Sequence, residues 1–264
     1  RVCILGGGLS SLTLAKALVN KKIYVDLLAS KKSIKLNKSR TIGISKNNLE
    51  FFNKHILNIS KLTWKLKKIH IYSDNLKNEK LLNFENNKDQ IFSIIKNYEL
   101  FIILEKNLKK NKYFNKLNFK EEENTYENYD IIINNDYFSK ITKKYFNKKI
   151  VKKYNSYAYT TVIEHQKSLN NVATQIFTKI GPLAFLPISS NQTSIVYSIK
   201  NSNIKDFKII KKLIHHYNFK YKIKKFINFE FFELKSLNLR SYHYNKFLAF
   251  GDLLHRIHPL AGQG

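Results

Sequence analysis

Two short stretches carry residue types that can do chemistry, and they lie at opposite ends of the 264-residue chain. Near the start, Gly6-Gly7-Gly8-Leu9-Ser10-Ser11 has the GxGxx[G/A/S] form, set between an apolar run and a helical pattern. Gly6 permits a tight turn, Gly8 lets a pyrophosphate approach backbone N–H groups, and a small residue at Ser11 lets helix pack on strand. The N-terminus of the helix then favours the negative charge of a dinucleotide. At the other end, Gly251-Asp252 precedes Pro259 with six residues between Asp252 and the proline, and Gly262 and Gly264 follow. An Asp just beyond a strand accepts hydrogen bonds from sugar-like hydroxyls; a turn or capping role is its structural alternative. His255 and His258 have no Cys or carboxylate cluster beside them, so no metal site is expected and they are assigned to packing and loop hydrogen bonds. No side chain stands out as catalytic acid or base.

The elements that must position these residues are legible as patterns. Val2–Leu5 is a short apolar strand; Leu9 to Asn20 repeats at helical spacing; Ile23–Leu28 has the content of a buried parallel strand, so the first 30 residues read as a βαβ unit. The acidic residue that grips an adenosine ribose is expected near Ala29 and is missing, while Asp26 lies inside the strand and is expected to point away. NAD, FAD and a degraded site all stay open on this motif alone. Helices are expected over Lys46–Lys54, Gln90–Asn111 and Lys205–Tyr217, and strands over Lys65–Tyr72, Lys80–Phe84 and Tyr129–Ile133. From Tyr154 to Ser198 the texture becomes alternating and β-rich, which predicts an antiparallel sheet, and Phe247–Phe250 reads as a final buried strand.

Length and composition exclude several classes. At 264 residues and 43% hydrophobic content the chain can bury a sizeable core, as one large or two intimately joined domains. No apolar run reaches the roughly 18 residues that span a bilayer. The single Cys3 excludes an internal disulfide framework. The formal charge of +28 would mark a polyanion binder, yet only four of the 47 basic residues are arginine. Lysines spread along a chain rich in Asn, Ile, Phe and Tyr are the vocabulary of an AT-rich genome, so no nucleic-acid partner is expected. The chain contains no Met and stops inside a glycine-rich stretch, so a truncated piece of a longer protein is expected.

The stretch Phe250-Gly251-Asp252-Leu253-Leu254-His255-Arg256-Ile257-His258-Pro259-Leu260-Ala261-Gly262-Gln263-Gly264 resembles the flavin-ribityl motif of class A flavoprotein monooxygenases. More narrowly, it is similar to the FAD-dependent hydroxylases of ubiquinone biosynthesis, related in fold to para-hydroxybenzoate hydroxylase. Ser39–Ser45, Gly181–Pro187 and Leu237–Tyr242 resemble further segments of that family in order, so the likeness spans nearly the whole chain. It implies an α/β fold: a Rossmann-like FAD-binding domain with an inserted antiparallel-sheet substrate domain. Residues 1–60, 91–150 and 240–264 would make the FAD half, and 61–90 and 151–239 the substrate half.

As implied by the resemblance, Gly6, Gly8 and Ser11 meet the pyrophosphate, Arg40 lies near the phosphates or flavin, Asp252 holds the ribityl chain, and Pro259, Gly262 and Gly264 form the flavin loop. The implied activity is hydroxylation of a polyprenylated phenol, with FAD as cofactor and NAD(P)H and O2 as co-substrates. A cytoplasmic protein loosely held at an anionic inner-membrane surface, in complex with other ubiquinone-biosynthesis proteins, is the implied setting. The family's central DG motif is expected after Ile131–Ile133, where the chain reads Asn135-Asp136-Tyr137 without the glycine. Two alternatives follow: a pyridine-nucleotide reductase using the N-terminal unit alone, and a decayed or accessory member that keeps the fold.

Overall fold

A computed structural model of the chain describes residues 1–29, 37–74, 79–86, 89–118, 126–200, 204 and 206–257. Along the chain run β1 (Val2–Leu5), α1 (Leu9–Asn20), β2 (Val25–Ala29), β3 (Thr41–Ser45), α2 (Lys46–His55), β4 (Thr63–Leu66), β5 (Lys68–Ser73), β6 (Lys80–Glu85) and β7 (Phe92–Lys96). Then come α3 (Asn97–Lys109), β8 (Phe114–Asn118), β9 (Ile131–Asn134), α4 (Lys140–Tyr145), β10 (Lys149–His165), β11 (Val172–Thr178), β12 (Gly181–Pro187) and β13 (Gln192–Lys200). The described chain closes with α5 (Phe207–Tyr217), β14 (Ile223–Leu239), β15 (His243–Tyr244), β16 (Phe247–Ala249) and β17 (His255–Arg256). None of the described helices is long and apolar enough to cross a membrane.

One sheet has the order β15-β16-β9-β1-β2-β8, and from β16 to β8 every neighbour is parallel. Its strands alternate. Val2 and Ile4 of β1 face α1 and α3, joining Leu12, Ala15, Leu104 and Leu108, whereas Cys3 and Leu5 face the other way, toward Ile132, Ile141, Leu237 and Leu253. Both faces are therefore covered, as a parallel sheet requires. The expected βαβ unit is present: β1 pairs with β2 in parallel, Val2 opposite Val25, with α1 between them.

The large sheet has the order β17-β14-β10-β13-β12-β11-β5-β6, antiparallel except for the parallel β5–β11 pair. One face carries Tyr159, Ile163, Tyr197 and Ile199, and α5 lays Ile210 and Ile214 on it. The opposite face meets the small sheet β3-β7-β4 through Val162, Ala173, Ala184, Leu66 and Ile94.

Three sequence expectations need correction. Gln90–Asn111 is not one helix, because its first third is β7. Ile94 and Ile95 point to opposite sides, into the large-sheet cluster and the α1–α3 core respectively. The expected strand Lys65–Tyr72 is split at Lys67, so that β4 joins the small sheet and β5 the large one. Phe247–Phe250 is shorter than expected and not final: β16 stops at Ala249, its Leu248 is partly exposed, and β17 follows.

Candidate cofactor site

The order β9-β1-β2 places a topological switch between β1 and β9: α1 leads from β1 to β2 on one side, and the chain returns to β9 on the other. Open α/β sheets bind ligands beyond the carboxyl ends of strands at such a point. There β1 ends at Leu5, and Gly6 turns the chain at φ +99°, a conformation side-chain-bearing residues rarely adopt. A Cβ at Gly6 would also lie 3.3 Å from the carbonyl carbon of Asn135. Gly8 caps α1 in extended geometry, its carbonyl accepting from the Leu12 N–H at 3.1 Å, with no side-chain cap. The first N–H groups of the helix thus have no capping partner, and no acidic residue occupies the first turn. Around Gly8 there is open space: nothing lies within 4 Å of the Cβ position.

Asn135 ties the two ends of the chain together. Its main-chain N–H bonds the Leu5 carbonyl at 3.0 Å, and its Nδ2 donates to the hydroxyl of buried Ser11 at 3.0 Å. Beside it, Phe250 N–H donates to the Asn134 carbonyl at 2.9 Å, delivering the chain to Gly251. Gly251 has φ +61°, and a Cβ there would lie 2.8 Å from Asn135 Oδ1 and 3.3 Å from Ser10 Cβ. Asp252 follows in a short 3-10 turn, exposed, while Leu253 is anchored in the core below. The structure therefore brings Gly6, Gly8, Ser11 and Asp252 to one end of one sheet.

Asn134 stiffens this junction from beneath. It is fully buried, donates to Thr142 Oγ1 at 2.8 Å and accepts from the Asp136 N–H at 3.0 Å. Asp136 in turn accepts from Phe138 N–H at 2.9 Å. Sequence reasoning assigned no role to Asn134 or Asn135; the available signal was a pair of amides directly after an apolar strand.

Arg40 makes neither a hydrogen bond nor an ion pair with the glycine turn or Asp252. Its guanidinium lies 4.7 Å from the centre of the Phe232 ring. Its neighbours Ser39 and Thr41 bond Thr160 and Ser194, so this segment lies across the large sheet. Pro259, Gly262, Gly264 and His258 lie outside the described residues. His255 is exposed and bonded to Asn238, and no metal-holding cluster occurs among the described residues.

Ala29 ends β2, as expected, without an acid for a ribose. Asp26 is buried within the sheet, bound by the Arg1 guanidinium at 2.6 Å, Tyr129 Oη at 2.8 Å and Asn115 Nδ2 at 3.1 Å. Burial and the Asp26 carboxylate push the Tyr129 phenol upward, and burial pushes the neighbouring Cys3 thiol up to about 12. Cys3 is thus an inert core residue rather than a nucleophile.

The residues present fit the phosphate portion of a dinucleotide: open space over Gly8, uncapped N–H groups, and an exposed carboxylate at the same sheet end. No family model matches the sequence, and no curated protein matches it. Solved structures do match. p-Nitrophenol 4-monooxygenase PnpA from Pseudomonas putida DLL-E4 superposes at TM-score 0.76 and 11% identity, over 100% of this chain and 75% of that one. PqsL, a probable FAD-dependent monooxygenase from Pseudomonas aeruginosa, gives 0.77 and 13%, over 100% and 81%. Klebsiella pneumoniae HpxO complexed with FAD and uric acid gives 0.75 and 12%, over 100% and 76%. At such identities the likeness is one of architecture: the chain has the mixed parallel and antiparallel α/β fold of these monooxygenases.

Proposed function

We propose that the protein binds FAD and acts as an FAD-dependent aromatic hydroxylase, drawing electrons from NAD(P)H. The observation that carries this reading is the junction at Asn135, where the glycine turn and the Gly251-Asp252 turn abut. Uncapped N–H groups at the start of α1 would hold the pyrophosphate, with Gly8 leaving room for it. Asp252 would accept hydrogen bonds from the hydroxyls of the ribityl chain. When bound, FAD supplies the redox chemistry, taking electrons from NAD(P)H and delivering one atom of O2 to an electron-rich ring. The chain's own part is to hold that group and keep water from the reacting ring. Arg40, seated over Phe232, would face the ring end from the large sheet.

The finer assignment, a polyprenylated phenol of ubiquinone biosynthesis, rests on the resemblance of Phe250–Gly264 to that family. The division into an FAD half and a substrate half, loose docking at an anionic membrane, and complexes with other ubiquinone-biosynthesis proteins rest on the same likeness. A second reading, an accessory flavoprotein without turnover, is favoured by the Asp136 carboxylate being engaged with Phe138 N–H and by the chain reading Asn135-Asp136-Tyr137, without the glycine, where the family's Asp-Gly motif is expected. One experiment separates the readings. The purified protein should be yellow, Asp252→Ala should lose most of the flavin while keeping its fold, and anaerobic NADPH should bleach the wild type. A yellow protein that NADPH leaves oxidised supports the accessory reading, and a colourless protein that FAD does not bind overturns both.

A further inference from the structure

Only four of the 47 basic residues are arginines, and three of these are engaged or solvated. Arg1 binds Asp26, Arg40 lies over Phe232, and Arg240 is exposed at the end of β14. Arg256, in β17, is half-buried, and among the described residues its side chain has neither a hydrogen bond nor an ion pair. A guanidinium withdrawn from water without an anion is costly, so this position calls for one.

The strand register gathers further cations around it. Arg256 lies opposite Leu237 of β14, and β14 pairs with β10 so that Leu239 meets Lys149 and Lys235 meets Lys153. Directly paired residues share a face, as do residues two apart on one strand, so Lys149, Lys153, Lys235 and Arg256 stand on one face around Leu237. Lys149 Nζ donates to Tyr137 Oη at 2.7 Å, which leaves the Tyr137 O–H free as a donor. That bond first, and then the charges of Lys149, Lys235 and Arg256, hold the phenol below its ordinary value. The same row of β14 holds one acid, Glu233, two positions before Lys235, while Asp136, beside Tyr137, is engaged with Phe138 N–H. Four cations thus stand against one carboxylate in the row.

The cluster borders the candidate cofactor site. Tyr137 is two residues past Asn135, which bonds Ser11 and abuts Gly251, and Arg256 is four residues past Asp252. Tyr137 and Leu254 pack on the core beneath, with Leu5, Leu237 and Leu239. The glycine turn already offers main-chain N–H groups to a pyrophosphate, so the side-chain donors are left for a different phosphate.

We propose, on the flavoprotein reading above, that Tyr137, Lys149, Lys235 and Arg256 form a site for the 2′-phosphate of the reducing nucleotide, so that NADPH and not NADH is the electron donor. A phosphate monoester brings about −1.5 to −2 charge and three acceptor oxygens, enough for a bidentate guanidinium, an ammonium and the phenol together. NADH carries a neutral hydroxyl at the same place and would leave the cations unmatched.

The test is calorimetric titration of the full chain, with and without saturating FAD, at about 0.15 M salt, which screens diffuse charge. The probes are adenosine 2′,5′-bisphosphate, 5′-AMP and inorganic phosphate. The bisphosphate should bind roughly 100-fold more tightly than 5′-AMP, and FAD should not displace it. Arg256→Gln should weaken bisphosphate binding by about 10-fold or more and leave 5′-AMP unchanged. Should that variant disturb the short β17, seen by circular dichroism, Lys235→Gln carries the same expectation. Lys21→Gln and Lys22→Gln, exposed at the far end of α1, should change neither ligand, because general attraction to a chain of charge +28 is not the cause. Equal binding of the two adenosine phosphates overturns the proposal. So does inorganic phosphate that binds as tightly as the bisphosphate, displacement of the bisphosphate by FAD, or a loss in the Lys21 and Lys22 variants as large as in Arg256→Gln. The bisphosphate carries neither flavin nor nicotinamide, so a yellow protein that ignores it refutes this site alone, and a colourless protein that binds it refutes the flavin reading alone.

Discussion

Gly8 and Gly251 are both glycines of the candidate site, yet the structure predicts opposite consequences for a methyl group at each. Gly8 has φ −73° and nothing within 4 Å of its Cβ position, so alanine fits the free protein. Its cost is the poorer N-cap, at most about 1 kcal/mol. The methyl would nevertheless project where the pyrophosphate must lie. Overpacking a close contact costs about 1–3 kcal/mol, which weakens FAD binding by roughly 5- to 150-fold. Gly251 differs in both respects. Alanine at φ +61° carries about 1–2 kcal/mol of left-handed strain. Its Cβ would also lie 2.8 Å from Asn135 Oδ1, displacing the amide that bonds Ser11, worth about 1 kcal/mol more. Gly251→Ala should therefore lose about 2–3 kcal/mol of stability before any ligand is added. Urea unfolding of the two apoproteins and fluorescence titration with FAD check the pair. Equal FAD affinity for Gly8→Ala and wild type would remove the pyrophosphate from this turn, and wild-type stability for Gly251→Ala would disprove the packed junction.

Other outcomes follow from the core. Tyr129→Phe removes one of the bonds to the buried Asp26 carboxylate and should cost about 1.5–3 kcal/mol by denaturant midpoint, without altering flavin content. Leu104→Ala, at a fully buried position between α1 and the sheet, should cost about 2–5 kcal/mol. Burial pushes Cys3, Tyr197 and Tyr221 each up to about 12 from ordinary values of 9 or 10. The unfolded chain releases those protons first, so their contribution is complete below pH 9 and is lost as pH rises toward 12; the denaturant midpoint should fall over that window. A thiol reagent at pH 8 should leave native Cys3 unmodified and label it only after unfolding.

What the sequence made legible was local. The glycine turn, the apolar runs on either side and the small Ser11 all lie within 30 residues, and together they specify the βαβ unit that the structure contains. Alternation likewise revealed β11, β12 and β13, whose pairing partners are near in sequence. Residues 90–111 failed because Ile91, Ile94, Ile95 and Tyr98 satisfy helical spacing, while only a sheet with a core on each side explains the opposite burial of Ile94 and Ile95. The same limit hid Asn135. Its role depends on Ser11 and Gly251, each more than a hundred residues away, and no local pattern encodes that meeting. The contact of Arg40 with Phe232 is likewise a property of how its segment crosses the large sheet, which no local pattern encodes. Asp26 was expected to point away because strand alternation is a local rule; the three partners that engage its buried carboxylate could be identified only in the folded chain.

Hydrogen exchange of the full chain with and without FAD tests most directly whether both ends of the polypeptide hold one ligand. Bound FAD should slow exchange in two separate segments together, residues 6–12 and residues 250–256, and Asp252→Ala should diminish the effect in both. Protection confined to the glycine turn, with the 250–256 segment exchanging as in the free protein, would contradict the account.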